Sequence, residues 1–242
     1  MSHLLHFSED PYIRAFHPHV PASSPDNPPM VWAVDEEHAP GFWFPRDAPR
    51  ACCWSGGKPM RLLPTLLEWI AEDYPGTQLC LSEYNWHNKD DYNPVAGLVE
   101  ADVLGLFGKF GLRLAAFWTT PGDGKNPAPA WRAFQLYRNA DGNGHGFGDT
   151  SVAAASTLAK VALYAATDSA TGNLTVLVIN KDTTALAQTV KLQNFAAGTS
   201  AKVYQVILGG AVTTPADYAV ANGAVAINVP AQAMQLIVIP KK

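Results

Sequence analysis

The sequence predicts an α/β region followed by an all-β region. Between Pro59 and Asn139, apolar residues at helical spacing alternate with short apolar runs, so helices and strands alternate. From Asp149 onward the apolar period becomes two, and turn residues divide the chain into short strands. Alternating helices and strands indicate βα units in a parallel sheet or barrel, whereas short strands with period two are typical of an antiparallel sandwich.

Composition narrows the classes of partner. Hydrophobic residues make up 48% of the 242 residues and charged residues 16%, which is typical of a globular protein. The net charge of -4, with both signs mixed, predicts no nucleic-acid partner. No run of about 18 apolar residues is present, so no membrane span is predicted. The first residues lack the basic start and apolar centre of a signal peptide, and the sequence leaves localisation open.

The α/β region contains three predicted helices and two predicted strands. The helices cover Leu62–Ile70, Val95–Phe110 and Trp131–Tyr137, and the strands cover Gln78–Ser82 and Leu114–Trp118. Pro75-Gly76 is expected to end the first helix, and Gly111 stands where a helix often ends in the left-handed conformation. The division of the chain predicted from these elements is 59–148 for the α/β region and 149–242 for the all-β region.

The all-β region contains six predicted strands. They are Val161–Ala166, Leu174–Asn180, Gln188–Leu192, Ala201–Ile207, Ala224–Val229 and Gln235–Ile239. Turn signals such as Leu208-Gly209-Gly210 separate them. Their length and spacing predict an antiparallel β-sandwich.

Residues 1–58 form a leader that is rich in proline, histidine and aromatic residues and has no sustained period. The stretch from Pro18 to Pro29 is expected to be extended, because proline lacks an amide donor and disfavours helix in the preceding residue. Short strands are predicted at Tyr12–Phe16 and Met30–Val34. The leader is otherwise irregular and of unclear origin.

Cysteine and histidine residues give no sign of a metal centre. Cys52, Cys53 and Cys80 are odd in number and two of them are adjacent, so we interpret them as free thiols. His17 and His19 could share a metal ion, but no third ligand is evident, and we interpret them as structural or surface residues. No cofactor is predicted.

Two strand ends carry residues suited to carbohydrate chemistry. Glu83 directly follows an apolar strand and precedes aromatic residues, and Trp118 ends the next strand along the chain. Because the carboxyl ends of parallel barrel strands form the active-site face, both side chains are expected there. Glycoside cleavage uses carboxylates beside the sugar, and aromatic faces hold the ring. The alternatives are a Glu that forms a salt bridge at a strand end and a Trp that packs under a loop.

Several longer motifs follow one another along the chain. They are Ser82-Glu83-Tyr84-Asn85-Trp86, Glu100-Ala101-Asp102-Val103-Leu104-Gly105, Phe107-Gly108-Lys109-Phe110-Gly111, Tyr137-Arg138-Asn139-Ala140-Asp141-Gly142, Phe147-Gly148-Asp149-Thr150-Ser151-Val152 and Val178-Ile179-Asn180-Lys181. Together these motifs resemble glycoside hydrolase family 44. The resemblance runs in order from roughly Leu62 to Pro240. It implies a retaining endo-β-1,4-glucanase or xyloglucanase with a TIM-like barrel and an attached β-sandwich.

The resemblance also implies roles for individual residues. Glu83 is similar to the nucleophile on the seventh barrel strand, and Trp118 is similar to the tryptophan that stacks on substrate at the end of the eighth. Tyr84, Asn85 and Trp86 would shape the pocket beside the nucleophile. The chain then corresponds to the carboxyl-terminal half of a family member, with a half-barrel over 59–148 and the leader in place of the other strands. The family is usually secreted.

The second carboxylate of a retaining mechanism is not identified by the resemblance. In the family it is a Glu preceded by Asn on an earlier strand, and this chain contains no Asn-Glu pair. Glu36 and Glu37 in the leader are the candidates for general acid and base, because crowded carboxyl groups raise the pKa of at least one of them. The alternative for this pair is a solvated acidic turn. Asp90 and Asp91 are a further option, and His17 is a candidate for the sugar site.

Three functions remain open from the sequence. The first is a glycoside hydrolase that acts on β-glucan, and the second is a non-catalytic β-glucan-binding protein that uses Trp86, Trp118 and Trp131. The third is an inactive truncated relic. A half-barrel leaves open strand edges and an uncovered apolar face, so a homo-oligomer, dimer or higher, is predicted.

Overall fold

A computed structural model describes residues 62–85, 93–118 and 127–242, together with 4–5, 14–15, 17–18, 20, 28–29, 31 and 34–35 of the leader. The chain divides into two compact units, 1–62 and 63–242. Cys52, Cys53, Glu36 and Glu37 lie outside the described residues. The predicted boundaries at 58 and 148 stay predictions.

The first unit contains a short antiparallel strand pair. β1 (Leu4–Leu5) pairs with β2 (Val34–Asp35), so that Leu4 faces Asp35 across the pair. β2 begins where the predicted strand Met30–Val34 ends, but Val31 lies outside any strand. Arg14 and Ala15 also lie outside any strand, so the prediction for Tyr12–Phe16 is wrong at these two residues. The remaining residues of both predicted segments are not among those described.

The second unit begins with alternating helices and strands, as predicted. The elements are α1 (Leu62–Asp73), β3 (Cys80–Tyr84), α2 (Pro94–Lys109), β4 (Leu114–Phe117) and α3 (Pro129–Arg138). β3 and β4 pair in parallel, and α2 connects them, which makes a βαβ unit. The Asn93 side chain caps α2 by accepting the Val95 amide at 3.0 Å. Gly111 follows α2 with a φ of 66°, which confirms the predicted left-handed end.

The rest of the unit is one antiparallel sheet of eight strands in the order β5-β6-β7-β12-β9-β10-β11-β8. The strands are β5 (Thr150–Val152), β6 (Val161–Thr167), β7 (Leu174–Asn180), β8 (Leu186–Lys191), β9 (Ser200–Ile207), β10 (Tyr218–Ala221), β11 (Ala224–Val229) and β12 (Ala233–Ile239). All six predicted strands are present, and the sequence missed β5 and β10. The antiparallel all-β prediction is confirmed, whereas a sandwich of two facing sheets stays a prediction.

The sheet is covered on both faces. On β7, Leu177 and Ile179 pack in one cluster with Leu98 of α2 and Leu136 of α3. The alternate residues of β7 pack in a second cluster with Val225, Ile227 and Val229 of β11. Because β11 is separated from β7 by three strands in the sheet order, the sheet must curl for these residues to share a core. β7 is therefore buried from both sides.

Polar contacts also join α2 to the sheet. Asp102 on α2 accepts a hydrogen bond from the Tyr164 hydroxyl at 2.5 Å and pairs with the Lys181 ammonium at 2.9 Å. Burial raises the pKa of Tyr164, and the nearby Asp102 carboxylate raises it further. Below this contact the Tyr164 ring lies directly against Gly105, so a Cβ atom at position 105 would overlap the ring carbons. A glycine is required there by close approach and not by backbone conformation.

None of the helices in the described part of the chain is long and apolar enough to cross a membrane.

Candidate active site

The two strand ends that the sequence singled out lie side by side. Glu83 is the fourth residue of β3, and Trp118 follows directly after β4. The Trp118 amide donates a hydrogen bond to the Tyr84 carbonyl oxygen at 2.8 Å, which continues the parallel pairing past the end of β4. The Glu83 side chain is exposed, and Trp118 is 53% exposed. A carboxylate and an aromatic face are thus presented to solvent at the same edge of the parallel pair.

A β-bulge lies at Glu83. Leu81 pairs with Ala115 and Tyr84 pairs with Phe117, so three residue steps on β3 match two on β4. The extra residue places Leu81 and Tyr84 on the same side of the pair, and both are half-buried. Ser82 and Glu83, which lie between them, are both exposed. Bulges next to active sites redirect side chains, and this one turns the Glu83 carboxylate outward.

Tyr84 is held by contacts on several sides. Its ring makes edge-to-face contacts with Phe107 of α2 at 5.1 Å and with Phe117 of β4 at 5.3 Å between ring centroids. Its hydroxyl donates a hydrogen bond of 2.7 Å to Oε1 of Glu100, which is fully buried. Burial raises the pKa of Tyr84 well above its usual range, and the Glu100 carboxylate adds to the shift. These contacts are with α2 and β4, and a role for Tyr84 in the pocket wall stays a prediction.

The structure brings together only part of the predicted site. Glu83, Tyr84, Asn85 and Trp118 lie at neighbouring strand ends, and Asn85 is half-buried. His17 is exposed in the first unit. The positions of Trp86, Glu36, Glu37, Asp90 and Asp91 are not among those described. Each of their predicted roles stays a prediction.

Sequence reasoning missed Glu100. It stands one position before a buried Ala101 and lies on the covered side of α2 with Ala96 and Val103, at helical spacing. A charged residue on an apolar helix face requires a hydrogen-bonding partner, because an unpaired buried carboxylate is costly. The charged residue on the apolar face of α2 could therefore have been noticed in the sequence. Its partner on β3, Tyr84, could not have been identified in this way.

In the Asp- and Gly-rich segment that follows α3, the Asp141 side chain forms hydrogen bonds within the segment itself. Asp141 accepts the Asn143 amide at 2.8 Å and the His145 amide at 3.1 Å, and its second carboxylate oxygen is 2.7 Å from Nδ1 of His145. The Asn143 amide, followed by the His145 contacts, holds the pKa of Asp141 well below its usual range. Among the described residues, no three His, Cys, Asp or Glu side chains converge in a way that could hold a metal ion. Cys80 is a free, exposed thiol.

Comparison with known families gives one match in the amino-terminal part. Residues 5–89 match a model described as a family of unknown function (DUF6886). The matched range includes most of the leader and extends through α1 and β3. It therefore overlaps the beginning of the segment whose motifs resemble glycoside hydrolase family 44.

Other proteins similar to this chain include an endoglucanase and solved glycoside hydrolases. The chain is 35% identical over 159 residues to endoglucanase A of Paenibacillus lautus, a match that covers 64% of this chain and 20% of that protein. It superimposes with a TM-score of 0.71 and 34% identity on CelM2, a bifunctional glucanase-xylanase from a metagenome library, over 84% of this chain and 38% of that one. It superimposes with a TM-score of 0.68 and 26% identity on a family 44 xyloglucanase of Paenibacillus polymyxa with xyloglucan, over 78% and 37%.

The fold is thus that of a glycoside-hydrolase-like protein. The resemblance to glycoside hydrolase family 44 is confirmed, since solved enzymes of that family are among its structural neighbours and a curated sequence relative is an endoglucanase. The chain spans about a fifth of the length of the curated relative and little more than a third of each of these two solved structures.

Proposed function

We propose that this protein cleaves β-1,4-glucans, of the cellulose or xyloglucan type, by a retaining mechanism in which Glu83 is the nucleophile. The observation that carries the proposal is the exposed Glu83 carboxylate, turned outward by a bulge beside the exposed Trp118. Solved relatives with a glucanase-xylanase and a xyloglucanase activity support the substrate class.

The proposed chemistry has two displacements at the anomeric carbon. Glu83 attacks this carbon, the bond to the leaving sugar oxygen breaks, and an acid gives that oxygen its proton. Water then attacks the glycosyl ester with the help of the same group as base, which frees Glu83 and retains the configuration. Trp118 offers an apolar face on which a sugar ring can stack, and Tyr84, Asn85 and Trp86 would border the site.

A second carboxyl group is needed about 5–5.5 Å from Glu83. We propose that it is Glu36 or Glu37 of the leader or, failing these, a carboxyl group of a second copy of the chain. To distinguish these sources, the turnover of each single variant, Glu36→Gln and Glu37→Gln, is measured with and without added azide. Azide needs no deprotonation to attack the glycosyl ester, so it should restore turnover of an activated aryl glycoside only in the variant that lacks the acid and base.

The proposal is tested by reducing-sugar release from carboxymethyl cellulose and from xyloglucan. Glu83→Gln should abolish release, because the neutral amide cannot form the glycosyl ester. Glu72→Gln, which makes the same change at an exposed position on α1, is the matched control and should retain activity. Equal activity of Glu83→Gln and wild type would overturn the role of Glu83, and inactivity of the wild type would overturn the hydrolase proposal.

Self-association is part of the same proposal. β3 and β4 form a two-stranded sheet, and Leu114 on β4 is 57% exposed. Parallel strands are normally covered on both faces, so an exposed apolar residue there is suited to contact with a second copy of the chain. Light scattering after size exclusion should give at least twice the mass of the chain. A mass equal to one chain at micromolar concentration would contradict this.

Non-catalytic glucan binding is the second candidate function, and the exposed Trp118 and Trp131 favour it. Aromatic faces hold sugar chains without any catalytic carboxylate. If this is the function, Glu83→Gln should bind insoluble cellulose as well as wild type does, whereas Trp118→Ala should bind less. None of these three proteins should release sugar. An inactive relic would show neither binding nor release.

A further inference from the structure

The buried carboxylate of Glu100 lies near the candidate active site. The proposed roles of Glu83 as nucleophile and Trp118 as stacking residue do not explain why it is there. It is fully buried, and the Tyr84 hydroxyl donates to its Oε1 at 2.7 Å. An apolar side chain at this position would fill the space without the cost of taking a carboxylate out of water. The presence of a charged group here is therefore better explained by the residue that it holds than by a contribution to stability.

What Glu100 holds is the residue next to Glu83. Tyr84 is fixed by its hydroxyl to Glu100, by its ring to Phe107 and Phe117, and by its carbonyl oxygen to the Trp118 amide. The Cα atom of Glu83 is one peptide unit, about 3.8 Å, from that of Tyr84. Since α2 contributes Glu100 and Phe107 while β4 contributes Phe117, Tyr84 is tied to two elements at once.

The bulge makes this anchoring necessary. In a regular strand the ladder hydrogen bonds of neighbouring residues fix the direction of each side chain. At the bulge the regular pairing is interrupted between Leu81 and Tyr84, so Ser82 and Glu83 lack that constraint. The first point after Glu83 at which β3 is again held is Tyr84. Its fixation therefore determines how the Glu83 carboxylate is presented.

We propose that Glu100 is a positioning residue, which acts through the Tyr84 hydroxyl to hold the bulged end of β3 and so to orient Glu83 for attack. This inference rests on the proposed function, because Glu83 is taken as the nucleophile. It assigns Glu100 no contact with substrate. A displacement of about 1 Å at a catalytic group can cost up to about a hundredfold in rate, so loss of the anchor should lower kcat and leave KM little changed.

The test compares two tyrosines that make the same kind of bond to the same helix. Tyr84→Phe removes the hydroxyl bound to Glu100, and Tyr164→Phe removes the hydroxyl bound to Asp102, with the rings retained in both. Both variants should lose a similar amount of thermal stability. On carboxymethyl cellulose, Tyr84→Phe should lower kcat about tenfold or more, whereas Tyr164→Phe should leave it unchanged.

Variants of Glu100 complete the comparison. Glu100→Leu should lower kcat as Tyr84→Phe does, and Glu100→Gln should restore most of it, because an amide oxygen still accepts the hydroxyl. A second readout is independent of catalysis: hydrogen exchange of the Trp118 amide, which is bound to the Tyr84 carbonyl, should become faster in Tyr84→Phe and Glu100→Leu but not in Tyr164→Phe. If Glu100→Leu does not fold, the comparison of Tyr84→Phe with Tyr164→Phe still tests the positioning role.

The outcomes separate this inference from the proposed function. In an active wild-type protein, an unchanged kcat in Tyr84→Phe, or an equal loss in Tyr164→Phe, overturns the positioning role and leaves the hydrolase proposal intact. An inactive wild type overturns the hydrolase proposal, and the Trp118 exchange rates then decide on the anchor alone. Faster exchange confined to the Tyr84 and Glu100 variants supports it, and unchanged exchange overturns it.

Discussion

Two strands of this protein are similar in apolar composition but differ in how far they are buried. β7 (Leu174–Asn180) and β4 (Leu114–Phe117) are both short apolar runs, yet all seven residues of β7 are buried and none of the four in β4 is. β7 has helices on one face and the curled outer strands on the other. β4 has one strand neighbour, β3, in the described part of the chain. Burial is therefore decided by what covers each face and not by the apolar character of the run.

The difference bears on where the candidate site lies. Glu83 and Trp118 lie at the ends of the less buried pair of strands, whereas the antiparallel sheet contributes to two packed cores. Regions with few buried apolar contacts open more easily than densely packed ones, so the site needs local anchors. The contacts of Tyr84 with Glu100, Phe107 and Phe117 are anchors of this kind.

The largest expected effect comes from a direct comparison of the two strand environments. Leu236→Ala in β12, where the side chain is fully buried, should cost about 2–5 kcal/mol of unfolding free energy. Leu114→Ala in β4, where the side chain is 57% exposed, should stay within about 0.5 kcal/mol. Urea unfolding of both variants at low protein concentration gives the two values. A large cost for Leu114→Ala that grows with protein concentration would mean that a second copy covers β4.

The sequence predicted the architecture well where periodicity is long. The bounds of β7 and β11 agree with the predicted Leu174–Asn180 and Ala224–Val229. β5 and β10 were missed because three or four residues are too short to show a period of two. The continuity of all eight strands in one sheet depends on pairings between distant strands, such as β8 with β11, and period and spacing do not specify these.

The candidate site was predicted only in part, because some of its features depend on contacts between residues that are distant in the sequence. Glu83 and Trp118 could be placed together because both follow apolar runs in consecutive βα units. The bulge between Leu81 and Tyr84 could not, because it arises from the register with β4. The bond from Tyr84 to Glu100 joins a strand to a helix face, so it depends on how α2 packs after the chain has folded.

The second prediction concerns the packing of α2 on the sheet. Gly105→Ala and Gly108→Ala both add a methyl group to the same helix and both gain helix propensity, up to about 1 kcal/mol. A Cβ at position 105 would overlap the Tyr164 ring, whereas one at position 108 would meet nothing. Gly105→Ala should therefore lose about 1–3 kcal/mol relative to Gly108→Ala. Equal melting temperatures for the two variants would show that α2 does not pack closely on the sheet in solution.

The smallest effect is expected at the crossing between the helices and the sheet, where Asp141 accepts amide hydrogen bonds. Its pKa is lower in the folded protein than in the unfolded chain, chiefly because of the Asn143 amide. A lowered pKa stabilises the fold at pH values above the unfolded value of about 4, and this contribution is lost as the pH falls from that value through the lower pKa of the folded protein. The melting temperature of wild type should therefore exceed that of Asp141→Asn at neutral pH, and the difference should shrink as the pH falls through this range. A difference that stays constant with pH would mean that the variant disturbs the turn by shape alone, and the charge of Asp141 would then contribute nothing to the junction.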